Sequence, residues 1–215
     1  TIGDRLKTNL RNVIYNTEYL NIYNFSDQEF AQLVKKLTKN QNVLLRGFAH
    51  GIYKVASKLK EMDVAIDLRA VSVTAEKLFE YQRNTITKYL SKNLFDQYGC
   101  GEINSIAFEC DNHIGLHHAF EHSILEIDSD TLTGPLLITN LDNYAMPLIR
   151  YRNGDIITLS DNNCSCGRQG KLIKSIEGRL YDFIIGPNGN TIHSAFLDHI
   201  ILDSNLLERF DVKEI

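Results

Sequence analysis

From residue 42 to residue 98 the chain alternates short apolar runs with stretches of helical spacing, a pattern that few architectures accept. Residues 42–48 form an apolar run broken by Gly47, after which Ile52, Val55, Ala56 and Leu59 recur at helical spacing. Residues 65–73 then read as a strand, 75–90 as an amphipathic helix carrying Leu78, Phe79, Ile86, Tyr89 and Leu90, and 94–98 as a further short strand. Upstream, Ser26 and Glu29 have the form of a capping box, and Phe30, Leu33, Val34 and Leu37 follow at helical spacing, which predicts a helix over residues 26–39. Strand, helix and strand in succession make βαβ units, so this half is expected to build a parallel sheet.

Beyond Gly101 the grammar changes. Residues 104–110, 123–127, 136–141 and 148–159 are strand-like and are joined by turn residues such as Asn153-Gly154 and Asn188-Gly189, the strongest short hairpin signal. A helix is expected only near residues 194–202. The fold class is therefore α/β, with a parallel sheet in the first half and an antiparallel, β-rich second half. At 215 residues and 43% apolar content the chain can bury a large core.

Charge excludes some partners. The formal net charge is −4, and the basic residues are scattered rather than clustered, so nucleic acid is not expected as a partner. No apolar run reaches the roughly eighteen residues that a membrane-spanning helix needs, and the first twenty residues carry charges where a secretory signal has an apolar block. No membrane partner is expected, and the chain reads as cytoplasmic. It starts with Thr1 and stops in a charged stretch, so it reads as a piece of something longer. Free sheet edges in such a piece would permit a homo-oligomer.

Three polar clusters carry the chemistry. Tyr98-Gly99-Cys100-Gly101-Glu102 lies just past a predicted parallel strand, where open α/β sheets bind ligands. Gly99 and Gly101 let the backbone turn and approach a ligand, Tyr98 offers a flat face to a base, and Glu102 offers a hard oxygen to Mg2+; a plain glycine turn after a buried strand reads the same five residues. Asp155, in Arg152-Asn153-Gly154-Asp155, either favours a hairpin turn or accepts the two hydroxyls of a ribose. Arg179, beside Gly178, belongs either to a β-turn or to a hinge that touches a nucleotide.

The four cysteines form a separate group. A one-residue gap between Cys164 and Cys166 is awkward for a disulfide but natural for two thiolates on one metal. Cys110, His117, Cys164 and Cys166 can make a Cys3His tetrahedron for structural Zn2+, with His113, His118 and His122 as competitors for the fourth place. The alternative is reduced, buried cysteines with surface histidines. Cys100 lies outside the group and lacks an orienting histidine, so it is not expected to act as a nucleophile.

Taken in order, residues 73–76, 98–102, 141–155, 164–168 and 178–182 resemble the motif series of the adenylate-forming superfamily, and within it the phenylacetate-CoA ligase group and its capsular-polysaccharide (CapK-type) branch. The resemblance covers roughly residues 42–210. It implies that Glu76 lines the wall of the acyl and adenine pocket, that Tyr98 stacks on adenine and that Gly99 lies in the same nucleotide loop. It also implies that Glu102 holds Mg2+ beside the α-phosphate as the catalytic carboxylate, that Asp155 binds the ribose hydroxyls and that Arg179 sits at a hinge. The implied division is an α/β part over residues 1–103, a β-rich subdomain with the zinc site over 104–178, and a hinge with the start of a lid over 179–215.

The implied reaction joins a small-molecule carboxylate to the α-phosphorus of ATP, leaving an acyl-AMP, and then transfers the acyl group to a thiol such as that of CoA, or to another acceptor. The sequence departs from the family pattern in three places. Gly101 stands where Thr or Ser is usual, Tyr181-Asp182 follows Arg179 where an acidic pair is usual, and no phosphate-cradling loop ending in Lys is present. In the family that loop lies upstream, so this chain alone is expected to bind nucleotide weakly and not to turn over. A non-catalytic nucleotide- or zinc-binding module is the competing expectation. A zinc hydrolase would need an open metal position, which a filled Cys3His set denies.

Overall fold

The computed structural model describes residues 12–19, 26–179, 183–185 and 191–193. Helix α1 (Asp27–Lys39) starts at the expected capping box: the Ser26 hydroxyl accepts from the Glu29 backbone N–H, and the Glu29 carboxylate accepts from the Ser26 N–H at 2.9 Å. Phe30, Leu33 and Leu37 are its buried face. The alternation then follows as β1 (Leu44–Phe48), α2 (Ala49–Glu61), β2 (Ala70–Thr74), α3 (Glu80–Tyr89) and β3 (Leu94–Tyr98). Strands β1, β2 and β3 pair in parallel, in that order.

Two of these boundaries differ from the sequence expectation. Residues 65–69 are not strand, because the Ile66 and Leu68 N–H groups bond the Tyr89 and Leu90 carbonyls at the end of α3 instead of a neighbouring strand. Helix α3 begins at Glu80 rather than near 75: Ala75 has φ +68, outside the helical region, and the Gln82 side chain accepts the Phe79 N–H at the helix start.

The second half supplies β4 (Ala107–Glu109), β5 (Leu116–His118), β6 (Ser123–Ile127), β7 (Thr133–Asn140), β8 (Tyr151–Leu159) and β9 (Leu172–Arg179), all joined by antiparallel pairings. Among the described residues these continue the same sheet, in the order β1-β2-β3-β4-β5-β9-β8-β7-β6. The strand predicted over 104–110 shortens to β4 because Ser105 adopts φ +60. A separate antiparallel pair joins β10 (Phe183–Ile185) to β11 (Thr191–His193). The expected Asn188-Gly189 turn and the helix near 194–202 lie outside the described residues.

The core divides at Tyr98. One cluster, including Leu59, Val71, Val73, Ile86 and Leu94, lies between the helices and one face of the parallel strands; the other, including Ile106, Leu125, Leu136, Ile138, Ile157 and Ile173, lies in the antiparallel half. The two halves join through short strands, since β5 pairs with β9 only at Leu116↔Ile173 and His117↔Leu172. No helix among the described residues is long and apolar enough to cross a membrane.

Candidate nucleotide and metal sites

Asn153-Gly154 is not a hairpin turn. Both residues lie inside β8, where the register passes from Leu137↔Arg152 to Pro135↔Ile156, so residues 153–155 have only Leu136 opposite them. The extra length forms a β-bulge, and Gly154 takes φ +88 within it, a conformation that side chains with a Cβ resist. The bulge takes Asn153 and Asp155 out of the β7–β8 register, and their side chains reach the end of β3.

There they meet Tyr98. Its hydroxyl donates a short hydrogen bond to Asp155 Oδ2, and Asn153 Nδ2 reaches both the Tyr98 oxygen at 2.8 Å and Asp155 Oδ2 at 2.7 Å. Asp155 is 8% exposed and Tyr98 7%. Burial, with the Asp155 charge beside it, drives the Tyr98 phenol well above the ordinary tyrosine range, so it stays neutral and donates. Arg179 stands opposite Asp155 in the β8–β9 register and places Nε 3.5 Å from Asp155 Oδ1. The site thus unites the first half (Tyr98) with the second (Asn153, Asp155, Arg179).

Glu102 lies on the loop after β3 and is exposed. Its own backbone N–H, then the Tyr151 phenol at 3.2 Å, hold its carboxyl below the ordinary range, so it is a charged oxygen donor facing solvent. Gly99 packs closely against the backbone that follows it. A Cβ there would stand 3.1 Å from the Ser105 backbone nitrogen, in a turn closed by Cys100 N–H to Ile103 O and Ile106 N–H to Tyr98 O. Glu76 is not part of this cluster: its Oε2 accepts the His50 N–H at 2.8 Å and so caps the first turn of α2. Sequence reasoning missed Asn153 and Tyr151. The signal was available, since residues 151, 153 and 155 alternate onto one face of a strand.

The cysteine group converges as well. Cys110 follows β4, His117 lies on β5, and Cys164 and Cys166 lie in the β8–β9 connection, yet their ligand atoms all fall within 4.8 Å of one another. Cys110 Sγ is 3.6 Å from Cys164 Sγ, and Cys166 Sγ is 3.4 Å from His117 Nε2. A tetrahedral zinc with Zn–S near 2.3 Å and Zn–N near 2.05 Å has S···S and S···N edges of about 3.8 and 3.5 Å. The Cys166 N–H, then side-chain hydrogen bonds within the cluster, lower the Cys164 thiol to about 6, toward the ligating thiolate form. His117 also keeps a buried Nδ1 without a hydrogen-bond partner. The competing histidines point elsewhere: His113 to Glu109, His118 to Ser123 and His122 to Asp142.

No protein-family model matches the chain. A phenylacetate-coenzyme A ligase from Thermus thermophilus is 31% identical over 148 residues, covering 64% of this chain and 33% of that protein. Protein CapK from Staphylococcus aureus is 24% identical over 181 residues, covering 77% and 37%. These matches support membership of the adenylate-forming superfamily over the part of it that the chain covers. It spans about a third of the length of these curated relatives. Among solved adenylate-forming structures, a 2-hydroxyisobutyryl-CoA ligase in the postadenylation state with 2-HIB-AMP matches with TM-score 0.67 and 16% identity, over 81% of this chain and 40% of that one. At that identity the likeness speaks for the fold.

Proposed function

We propose that the chain carries the ribose-binding, Mg2+-binding and structural-metal part of an enzyme that activates a carboxylate as an acyl-adenylate. The observation that carries this reading is the Tyr98–Asn153–Asp155–Arg179 cluster, built by two halves of one sheet beside the Glu102 loop. In the reaction a carboxylate oxygen of the substrate attacks the α-phosphorus of ATP, the bond from that phosphorus to the bridging oxygen breaks, and pyrophosphate leaves. The acyl group then passes to a thiol, that of CoA being the acceptor named in the relatives, and AMP is released.

Each residue has a positional task. Asp155 accepts the ribose hydroxyls, Arg179 supplies a cation beside them, and Glu102 would hold Mg2+, which would neutralise phosphate charge. Catalysis of this type rests on orientation and on neutralising phosphate charge, so no protein nucleophile is needed. Cys110, His117, Cys164 and Cys166 fit Zn2+ by number, donor type and edge lengths. All four positions come from the protein, so the ion supplies folding energy only, tying β4, β5 and the β8–β9 connection together.

The test is carboxylate-dependent exchange of labelled pyrophosphate into ATP by the intact protein, across aliphatic, aromatic and amino acids. Exchange with one class, abolished in Asp155→Ala, is the expected result. Saturable AMP binding with no exchange for any acid would replace the enzyme by a nucleotide-binding module.

A further inference from the structure

The Asp155 carboxylate is held asymmetrically. Its Oδ2 accepts from the Tyr98 hydroxyl and from Asn153 Nδ2 at 2.7 Å, which occupies that oxygen, whereas among the described residues Oδ1 faces the Arg179 Nε at 3.5 Å. A carboxylate has about four acceptor positions, two on each oxygen. The Arg179 side chain is 68% exposed and can yield to a ligand; Tyr98, at 7%, cannot. Asn153 is itself fixed, because its Oδ1 accepts the Asp155 backbone N–H at 3.1 Å, which turns its amide nitrogen toward the carboxylate. Gly154, at φ +88 between them, lets two residues of one strand close this ring.

We propose that Asn153 is a positioning residue which, with the Tyr98 hydroxyl, locks one oxygen of Asp155 and turns the other out to accept the cis-diol of a ribose. The inference rests on the nucleotide reading above and deepens it: the clamp sets selectivity for the diol rather than overall nucleotide affinity. Without the amide the carboxylate can rotate, and ordering it must then be met on binding. Contacts to the phosphate and the base do not pass through Asn153.

The experiment compares AMP with 2′,3′-dideoxy-AMP by calorimetry on the intact protein. The wild type is expected to prefer AMP by about 10- to 100-fold, the value of hydrogen bonds to a charged acceptor. Asn153→Ala is expected to bring that preference within about threefold while dideoxy-AMP affinity stays within about twofold, a ratio that general loosening would not change selectively. Asn153→Asp, nearly isosteric, turns the donor into an acceptor. It is expected to lose the preference at neutral pH and to recover part of it as the pH falls and the carboxyl pair takes up a proton. If both variants keep the wild-type ratio, the clamp is overturned and the nucleotide reading stands. If the wild type binds AMP and dideoxy-AMP equally, the diol contact and the clamp fall while nucleotide binding stands; if it binds neither, the nucleotide reading falls too.

Discussion

Tyr98→Phe deletes one oxygen and leaves the ring that packs with Ile103 and Ile106, so it isolates the hydrogen bond to Asp155. A hydrogen bond to a charged group contributes about 1.5–3 kcal/mol when its loss leaves the acceptor unsatisfied. Two features lower that value here. Asn153 still donates to the same oxygen, and the Asp155 side chain is 12% exposed, so water can reach it. The expected cost is therefore about 1–2 kcal/mol, or a fall in melting temperature of roughly 2–8 °C for a chain of this size. Urea unfolding would read it as a lower midpoint at constant m-value. Because Tyr98 and Asn153 serve one oxygen, the double variant with Asn153→Ala should depart from additivity by about 0.5 kcal/mol or more. A Tyr98→Phe midpoint equal to the wild type would show that the buried carboxylate does not depend on the phenol, and the account of the site would fail.

Asp96, pushed up to about 7 mainly by burial and then by the Glu109 charge, gives a pH signature. Its folded-state value lies above its unfolded value, so between about pH 4 and 7 the folded chain holds a proton that the unfolded chain has lost; this term falls by up to about 1.4 kcal/mol per pH unit as pH rises and is gone above 7. Asp96→Asn should remove that slope in urea unfolding curves taken from pH 4 to 8, and an unchanged slope would assign the effect to another group. For the metal site, one Zn2+ per chain is expected by elemental analysis, with a thiolate-to-metal band on Co2+ substitution; a strong chelator or His117→Ala should lower the melting temperature, and a metal-free chain that melts unchanged with chelator would rule the site out. Glu76→Ala should cost about 0.5–2 kcal/mol as a lost helix cap while AMP affinity is retained. Weaker AMP binding at unchanged stability would instead place Glu76 in the pocket.

Much of the fold was legible because it is local. The capping box at Ser26 and Glu29 and the alternation through β3 are written in neighbouring residues, and the parallel half follows from them. Where reading failed, a distant partner had intervened. Ile66 and Leu68 have strand-like sequence but direct their N–H groups to the end of α3, and Asn153-Gly154 has the chemistry of a turn but is carried through β8 by its neighbouring strands. Local chemistry names the backbone conformations that a dipeptide tolerates; it does not say which strands will flank it.

The same division separates the sites. The sequence by itself determined the donor types: three thiols and an imidazole suited to zinc, and a tyrosine, an aspartate and an arginine suited to a nucleotide. It also carried the resemblance that the relatives bear out. Only the tertiary structure decided that His117, and not His113, His118 or His122, meets the three thiols, and that Glu76 accepts the His50 N–H at the start of α2. It also decided that Tyr98 meets Asp155 across 57 residues, with Asn153 between them. Such contacts are closed by pairing β3 to β4, β4 to β5, β5 to β9 and β9 to β8, and the geometry at the site is the accumulated result of those registers rather than a property of any one segment.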